Sequence, residues 1–263
     1  MGLRHRTNLA GDVTESWPPP LLVREAGQLD RAKGALRRYF DLQAGSIWSD
    51  LSDFLAGATG KVVDVGCGGQ PYRSLLPPGI HYVGIDIAEA KDRFGYNANE
   101  TLYFTGSEWP EASRGADVVL CTEALEHVLE PLQFLEQACK SLRPGGRLLL
   151  TVPFAARWHF VPHDYWRFTP SSLKHLLEEA GFREVAVYAR GNALTVACYK
   201  AMALVLPLLM PQKKSRKAAL LLRTMGAAAA PFFVALAAIA NVSLRTSGVE
   251  ECLGYTVLAK RPD

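Results

Sequence analysis

The chain has 263 residues, enough to bury one full-sized hydrophobic core with a small appendage. Its composition, 49% hydrophobic and 21% charged, is that of an ordinary globular protein. A net charge of +3 and a single basic run at 213–217, without interleaved aromatic residues, argue against a nucleic-acid-binding protein. The five scattered cysteines form no CxxC pair, and no apolar run follows the first charges. We therefore expect neither a cysteine zinc site nor a secretory signal, and a cytoplasmic location.

The first elements are helical. Residues 1–25 contain three consecutive prolines after Trp17 and little periodicity, which predicts a flexible arm. Apolar residues at helical spacing between Leu29 and Phe40 predict a helix, and a second short helix is predicted at 47–55.

From Lys61 onward, short β-branched runs alternate with helical stretches, the pattern typical of a parallel sheet with helices on both faces. A last strand follows only after a long apolar insertion. The predicted strands are 61–65, 81–85, 101–104, 117–121, 147–152, 184–188 and 255–260, and the predicted helices between them are 71–76, 89–93, 123–142 (broken at Pro131) and 170–180.

The strongest local motif is a glycine-rich turn, Gly66-Cys67-Gly68-Gly69, directly after a buried strand. Glycines fit there because the backbone must turn tightly and approach a ligand with no Cβ in the way. Asp86 ends the next strand, 20 residues after Gly66, where a carboxylate accepts hydrogen bonds from ribose hydroxyls. The pattern predicts a nucleoside-containing ligand, with a turn of purely structural use as the alternative.

A dinucleotide is the competing ligand. Its fingerprint requires a third glycine three residues beyond Gly68, and this position is Pro71. A pyrophosphate site, and with it a nicotinamide-dependent dehydrogenase, is therefore disfavoured relative to a ligand without phosphates.

Four motifs stand in the order found in class I S-adenosylmethionine-dependent methyltransferases. They are VDVGCGG at 63–69, GID at 84–86, DVVLCTEALEHV at 117–128, and LRPGGRLLLTVP at 142–153. The chain resembles the bacterial group related to the ubiquinone-biosynthesis type, over residues 60–190 and the last strand.

This resemblance implies an α/β, Rossmann-like, doubly wound fold with a mostly parallel seven-stranded sheet and an antiparallel last strand. It divides the chain into the arm, a methyltransferase domain at 26–190, an apolar helical insertion at 191–250, and the last strand at 251–263.

The resemblance also implies S-adenosylmethionine as the cofactor. In the family the glycine turn holds the methionine part of the donor, and the acid after the second strand holds its ribose. The family often has an acid near the adenine after the third strand, where this chain has Ser107 and Glu108. The candidate cofactor-binding residues are Asp64, Gly66, Cys67, Gly68, Asp86, Ser107 and Glu123.

Two segments follow the carboxyl ends of strands, where groups that position or deprotonate a methyl acceptor are expected. The first holds Glu123, Glu126 and His127. A helix start with an acidic first turn would explain Glu123 equally well, and adjacent helical positions would point Glu126 and His127 apart.

The second segment is the long loop 154–170, rich in aromatic residues and histidines. His163 is the preferred catalytic base, oriented by Asp164, with His127 as a further catalytic candidate. We expect His159, Tyr165 and Arg167 to contact the substrate. Alternatively, Thr169 and Pro170 cap the next helix while the aromatics pack over the sheet edge. Because Pro162 separates His159 from His163, no metal site is expected.

The insertion contains two apolar segments, 193–210 and 224–240, on either side of the basic run. Each is near the ~20 residues that span a bilayer, but Pro207 and Pro231 interrupt them. Three alternatives are open: a hairpin on the inner face of a membrane, where basic residues suit anionic lipids, a lid over the substrate pocket, or a dimer interface.

The sequence therefore predicts an enzyme that methylates a small-molecule, glycan or lipid-linked acceptor. The alternative is a non-catalytic protein of the same fold that serves as an assembly factor or scaffold at the membrane. The sequence does not determine the acceptor atom or the oligomeric state.

Overall fold

The computed structural model describes residues 20–209 and 216–263. Its strands are Lys61–Val65 (β1), His81–Ile87 (β2), Thr101–Phe104 (β3), Ala116–Thr122 (β4), Leu142–Pro153 (β5), Arg183–Arg190 (β6) and Gly254–Lys260 (β7). They form one sheet in the order β3-β2-β1-β4-β5-β7-β6. Strands β1 to β5 pair in parallel, and β7 runs antiparallel between β5 and β6. The predicted Rossmann-like, mostly parallel seven-stranded sheet is confirmed.

The helices differ from prediction mainly at their ends. They are Gln28–Phe40 (α1), Leu42–Leu55 (α2), Ala90–Phe94 (α3), Pro131–Ser141 (α4), Pro170–Glu179 (α5), Ala193–Leu209 (α6) and Arg216–Ser243 (α7). Helix α2 begins earlier than predicted because the Asp41 side chain accepts a hydrogen bond from the Ala44 N–H at 3.2 Å. The predicted helix at 71–76 is only a 3₁₀ turn, Arg73–Leu75, and the predicted 123–142 helix is a 3₁₀ turn, Leu125–His127, followed by α4.

The central strands are buried on both faces, which explains their continuous β-branched runs. Neighbouring residues point to opposite sides of the sheet, so Val62 packs with Leu51 of α2 while Val63 belongs to the core that contains Leu135 of α4 and Leu173 of α5. Since both faces are covered, a ligand is expected at the carboxyl edge of the parallel strands.

Helices α6 and α7 form an antiparallel pair that packs on the domain. Thr195, near the start of α6, hydrogen-bonds Ser243 at the end of α7 with 2.6 Å between the two hydroxyl oxygens. A third core cluster attaches the pair to α2 and to the segment before β7; it contains Leu42, Cys198, Met202, Ala237, Ala240 and Leu253.

The prediction that proline interrupts the apolar segments is wrong. Pro207 lies inside α6 and Pro231 inside α7, which continues on both sides of it. An internal proline removes one backbone hydrogen bond, and packing of the paired helices offsets this cost. Of the basic run, residues 213–215 lie outside the described residues.

Helix α7 carries an exposed apolar surface. The stretch Leu220–Ser243 is long and apolar enough to cross a membrane, with a mean hydropathy of 1.8, and 17% of its most apolar window is buried. Length and composition alone do not separate a spanning helix from one that lies on a surface. Its exposed large apolar side chains are Leu220, Leu221, Met225, Phe232, Val234, Ile239 and Val242.

Part of the predicted arm packs on the glycine turn. Val23 pairs with Gly69 as a single parallel bridge, and the Arg24 N–H donates to the Gly69 carbonyl at 2.9 Å. Glu25 forms an ion pair with Arg38 of α1. Residues 20–25 are therefore held against the domain, while residues 1–19 of the arm lie outside the described residues.

Asn192 links the beginning of α6 to the end of α7. Its Oδ1 accepts hydrogen bonds from the N–H groups of Leu194 and Thr195, at 3.0 and 3.2 Å. Its Nδ2 donates to the Ser243 carbonyl at 3.0 Å and to the Thr246 hydroxyl at 2.9 Å.

We expect Asn192→Ala to lower the free energy of unfolding by about 2 kcal/mol, since it removes both a helix cap and the bonds between the two helix ends. Urea unfolding measures this loss. Asn97→Ala, in an exposed loop, is the control. Equal unfolding midpoints for the two variants would show that this side chain does not hold the helix pair.

Candidate active site

A cavity of about 1130 Å³ opens at the carboxyl edge of the sheet. Its volume is slightly above the range for small-molecule sites, ~300–1,000 Å³, so it has room for two ligands side by side. The cavity brings together the turns after β1 and β2, the segment after β4, the loop after β5 and the helix pair α6–α7. Of the predicted cofactor residues, those that line it are Gly66, Cys67, Gly68, Asp86, Ser107 and Glu123.

The glycines of the turn after β1 are required by conformation and by space. Gly66 and Gly68 have φ angles of 67° and 47°, in the left-handed region that favours glycine. A Cβ on Gly66 would lie 2.6 Å from the Cβ of Ala124, and one on Gly68 would lie 3.3 Å from the ring of Tyr96. The turn is therefore enclosed by the segment after β4 and by Tyr96, a residue that the sequence did not single out.

Asp86 joins the ends of β1 and β2. Its Oδ2 accepts a hydrogen bond from the Gly68 N–H at 2.9 Å, and its Oδ1 accepts one from the Ile87 N–H at 2.8 Å. Burial raises the pKa of Asp86, although these two hydrogen bonds oppose the shift. Each oxygen can accept a further hydrogen bond, and the carboxylate lines the cavity.

Asp64 and the Cys67 thiol lie beside the turn, and both residues are buried. The Tyr82 hydroxyl donates to Asp64 Oδ2 at 2.8 Å, and Asp64 is not among the described residues that line the cavity. Burial raises the pKa of the Cys67 thiol far above its ordinary value, which leaves it uncharged. Cys67 therefore offers its backbone to a ligand, and Asp64 supports the turn from behind.

Beyond β3, the cavity wall contains Ser107 together with the aromatic rings of Phe104 and Trp109. Glu108, the other residue considered for the adenine side, is not among the described lining residues. The polar pattern on which the prediction for this segment rested does not include the two aromatic rings.

The alternative prediction, that Glu123 lies in the first turn of a helix, is wrong. Its φ is 48°, and its N–H donates to the carbonyl of Thr151 in β5 at 3.0 Å. Its carboxylate accepts a hydrogen bond from Arg190 at 2.9 Å. Arg190 is buried at the end of β6, and it also donates to the Val152 carbonyl. The sequence signal for Arg190 was its position as the charged last residue of a largely apolar strand.

Two histidines, His127 and His159, line the cavity, and His163 is not among its described lining residues. His127 Nδ1 donates to the carbonyl oxygen of His163 at 2.7 Å, which leaves Nε2 without a proton in the neutral ring. Burial lowers the pKa of His127 to about 4. The rings of His127 and His159 lie 5.1 Å apart between centroids.

The prediction that Asp164 orients His163 is wrong. Its carboxylate accepts hydrogen bonds from Arg167 at 2.6 and 2.8 Å, and Oδ2 lies 3.0 Å from His159 Nδ1. Burial alone would raise the pKa of Asp164, but the hydrogen bonds from Arg167 and His159 outweigh it and hold this pKa well below its usual range. His163 Nδ1 instead lies 3.3 Å from the hydroxyl of Tyr165, which itself lines the cavity.

The predicted helix cap at the end of this loop is confirmed. The Thr169 hydroxyl accepts a hydrogen bond from the Ser172 N–H, and Pro170 is the first residue of α5. Among the aromatic residues, the Trp166 indole donates to the Val128 carbonyl at 2.8 Å. Arg167, expected to contact substrate, is held by Asp164 and is not among the described lining residues.

Glu126, which is not among the predicted site residues, is a buried carboxylate. It is 0% exposed, and neither of its oxygens has a hydrogen-bond partner among the described residues. Because Leu125–His127 is a 3₁₀ turn rather than an α-helix, Glu126 Oε1 lies 3.7 Å from His127 Nε2. Burial raises the pKa of Glu126 well above its ordinary value.

The far wall of the cavity is apolar and comes from the insertion. Its members lie on α6 and α7, and they face the same space as the glycine turn. They include Tyr199, Met202, Ala203, Leu206, Leu222 and Phe233.

The buried Asp64 generates a pH-dependent stability. Burial raises its pKa from 3.8 to about 7, against the hydrogen bond from Tyr82. The contribution of this group is fully present below the unfolded pKa and is lost as the pH rises through about 7. Asp64→Asn, which never ionises, should therefore gain stability relative to the wild type between about pH 5 and about pH 8.

Thermal unfolding without added ligand, at both pH values, measures this gain. Asp53→Asn, on the exposed side of α2, is the control and should show no such change. A stability difference between Asp64→Asn and wild type that is the same at both pH values would contradict the buried-charge account.

A family model described as a methyltransferase domain matches residues 37–187, more than half of the chain. A ubiquinone biosynthesis O-methyltransferase from Aromatoleum aromaticum is 30% identical over 160 residues, 51% of this chain and 68% of that protein. The human thiol S-methyltransferase TMT1A is 27% identical over 186 residues, 63% of this chain and 69% of that protein.

Among solved structures, a SAM-dependent methyltransferase from Thermotoga maritima superimposes with a TM-score of 0.50. It is 16% identical, covers 88% of this chain and 97% of its own, and so supports the fold alone. The sheet order, the enclosed glycine turn and the family match agree, and the chain belongs to the methyltransferase-domain family of S-adenosylmethionine-dependent enzymes.

Proposed function

We propose that this methyltransferase acts on a small acceptor with a long apolar body, such as a lipid-linked aromatic alcohol, presented at a membrane surface. The observation that carries the proposal is the continuity of the cavity, which is lined by the glycine turn at one end and by apolar side chains of α6 and α7 at the other. A soluble polar acceptor has no use for an apolar wall of this extent.

S-adenosylmethionine fits the residues at the first end. The turn from Gly66 to Gly68 lines the cavity, and its two glycines present backbone without side chains, which suits the methionine part of the donor. Asp86 keeps free lone pairs toward the cavity for two ribose hydroxyls. Ser107, with the rings of Phe104 and Trp109, would hold the adenine, and Glu123 is fixed beside the turn by Arg190.

The cofactor supplies a methyl group on a positively charged sulfur, and this sulfur becomes a neutral thioether when the acceptor takes the methyl group. The chain therefore has to hold the acceptor atom close to the methyl carbon and in line with it. An acceptor hydroxyl must also lose its proton. His127 and His159 line the cavity, so we assign them, rather than His163, to the acceptor group.

The exposed face of α7 would place this cavity at a bilayer. Its apolar side chains include Leu220 and Phe232, which are 65% and 57% exposed. The basic residues of 213–217 come just before or at the start of this helix in sequence, and they suit anionic lipid headgroups. An acceptor with an apolar tail would enter the cavity from that surface.

The names of several relatives support an oxygen acceptor. These relatives are called ubiquinone biosynthesis O-methyltransferases. Another carries the name thiol S-methyltransferase, so the fold also serves sulfur. Together with the apolar cavity wall, these names lead us to prefer an apolar alcohol as the acceptor for this chain.

Asp86→Ala should weaken S-adenosylmethionine binding at least about tenfold, or ~1.4 kcal/mol, because the ribose loses a charged hydrogen-bond acceptor. Isothermal titration calorimetry measures the dissociation constant. Asp53→Ala is the matched control, since its carboxylate is exposed on α2. Unchanged binding by a folded Asp86→Ala protein would remove Asp86 from the donor site.

The acceptor proposal predicts a preference for an apolar tail. Two aromatic alcohols with the same ring, one carrying a methyl group and one a long alkyl chain, are compared with radiolabelled donor in mixed micelles. We expect kcat/KM to be at least about tenfold higher for the long chain, since two buried CH₂ groups contribute ~0.8 kcal/mol each.

Leu206→Asp, in the cavity wall, should abolish this preference. Leu204→Asp, on the same helix but 80% exposed, should retain it in micelles. Equal kcat/KM for the two alcohols with the wild-type enzyme would reject the apolar acceptor.

A further inference from the structure

Among the residues that the structure describes, the carboxylate of Glu126 has no lysine or arginine partner. The neighbouring acids are each matched to an arginine, Glu123 to Arg190 and Asp164 to Arg167. No lysine or arginine within the described residues forms an ion pair with Glu126, and both of its oxygens lack hydrogen bonds there. A buried carboxylate without compensation costs several kcal/mol on the scale of buried charges, so a bound cation would complete this site.

Two imidazoles stand beside this carboxylate. One ligand atom each from Glu126, His127 and His159 lies within 4.8 Å of the others. In a tetrahedral zinc site, ligand atoms at 2.0–2.1 Å from the metal are about 3.3 Å apart. Small side-chain shifts would therefore bring the three groups into coordination.

The outer contacts of both histidines favour coordination as well. His127 Nδ1 donates to the His163 carbonyl, and His159 Nδ1 faces the Asp164 carboxylate at 3.0 Å. Histidine ligands of metals almost always engage their second nitrogen in this way, with a carbonyl or a carboxylate. In each ring, Nε2 is then the nitrogen left for a metal.

We propose that Glu126, His127 and His159 bind one divalent transition-metal cation, such as Zn²⁺, at the acceptor end of the cavity. Two imidazoles and one carboxylate are a ligand set typical of catalytic zinc and of non-haem iron. The sequence predicts no metal site, because Pro162 separates His159 from His163. The fold instead pairs His159 with the turn after β4.

The site has a use in the reaction, and this part of the inference rests on the proposed function. His127 and His159 line the cavity, so a position on the cation that protein ligands leave open would face the acceptor. A cation there would lower the pKa of a bound acceptor hydroxyl, so that its proton passes to water, and the oxygen would then attack the methyl carbon.

The test is metal binding by the full chain, measured without donor or acceptor. Protein stripped with a chelator is titrated with Zn²⁺ by calorimetry, and Co²⁺ is added separately to record its visible absorption. We expect one equivalent of Zn²⁺ per chain and the intense absorption of Co²⁺ with low coordination number. Glu126→Gln and His159→Gln should each weaken Zn²⁺ binding at least about tenfold.

His163→Gln is the matched control, since it alters a histidine of the same loop but leaves the carbonyl that His127 uses. Circular dichroism and S-adenosylmethionine binding verify that each variant is folded. Absence of Zn²⁺ binding by the wild type, or equal losses in His163→Gln and Glu126→Gln, would overturn the proposal. So would binding that survives both ligand substitutions, which would place the metal elsewhere, for instance on cysteines.

The two proposals fail in different ways. Full methyl transfer to the apolar acceptor by protein stripped of metal would reject the cation's role in the reaction and leave the proposed function standing. One tightly bound Zn²⁺ that depends on Glu126, with no transfer to the apolar acceptor, would support the metal site and reject the acceptor.

Discussion

The donor site depends on the hydrogen bond between the Gly68 N–H and the Asp86 carboxylate. This bond joins the turn after β1 to the end of β2, so two strands that end at the same sheet edge form one binding surface. Ala124 and the ring of Tyr96 lie so close to Gly66 and Gly68 that a larger residue would not fit at either position. The same carboxylate that holds the turn also lines the cavity. Its two backbone hydrogen bonds partly offset the cost of burying its charge.

Buried charge organises the acceptor side in the same way. Arginines from β6 and from the loop after β5 neutralise Glu123 and Asp164, and these pairs fix the loop around the cavity. Asp164 in turn contacts His159, while the backbone of His163 holds His127. The histidines that face the cavity are therefore held by residues the sequence had assigned to catalysis itself.

The insertion gives a general fold a particular acceptor site. Helices α6 and α7 follow β6 and return the chain to β7, so they leave and re-enter the sheet beside the open edge. Their inner side chains attach to Leu42 and Leu253 or line the cavity, and their outer side chains stay exposed. One helix pair thus contributes both an apolar wall inside and an apolar surface outside.

The sequence by itself determined the sheet and the donor turn. Periodicity and β-branched runs are local signals, and the bounds of β1 and β3 were predicted to the residue. The positions of Gly66, Gly68 and Asp86 follow from spacing along two neighbouring strands. Only the tertiary structure decided the acceptor side, where Glu126, His159 and Arg190 come from different segments. Their partners are set by packing and by charge neutralisation across the fold, and neither leaves a periodic signal in the chain.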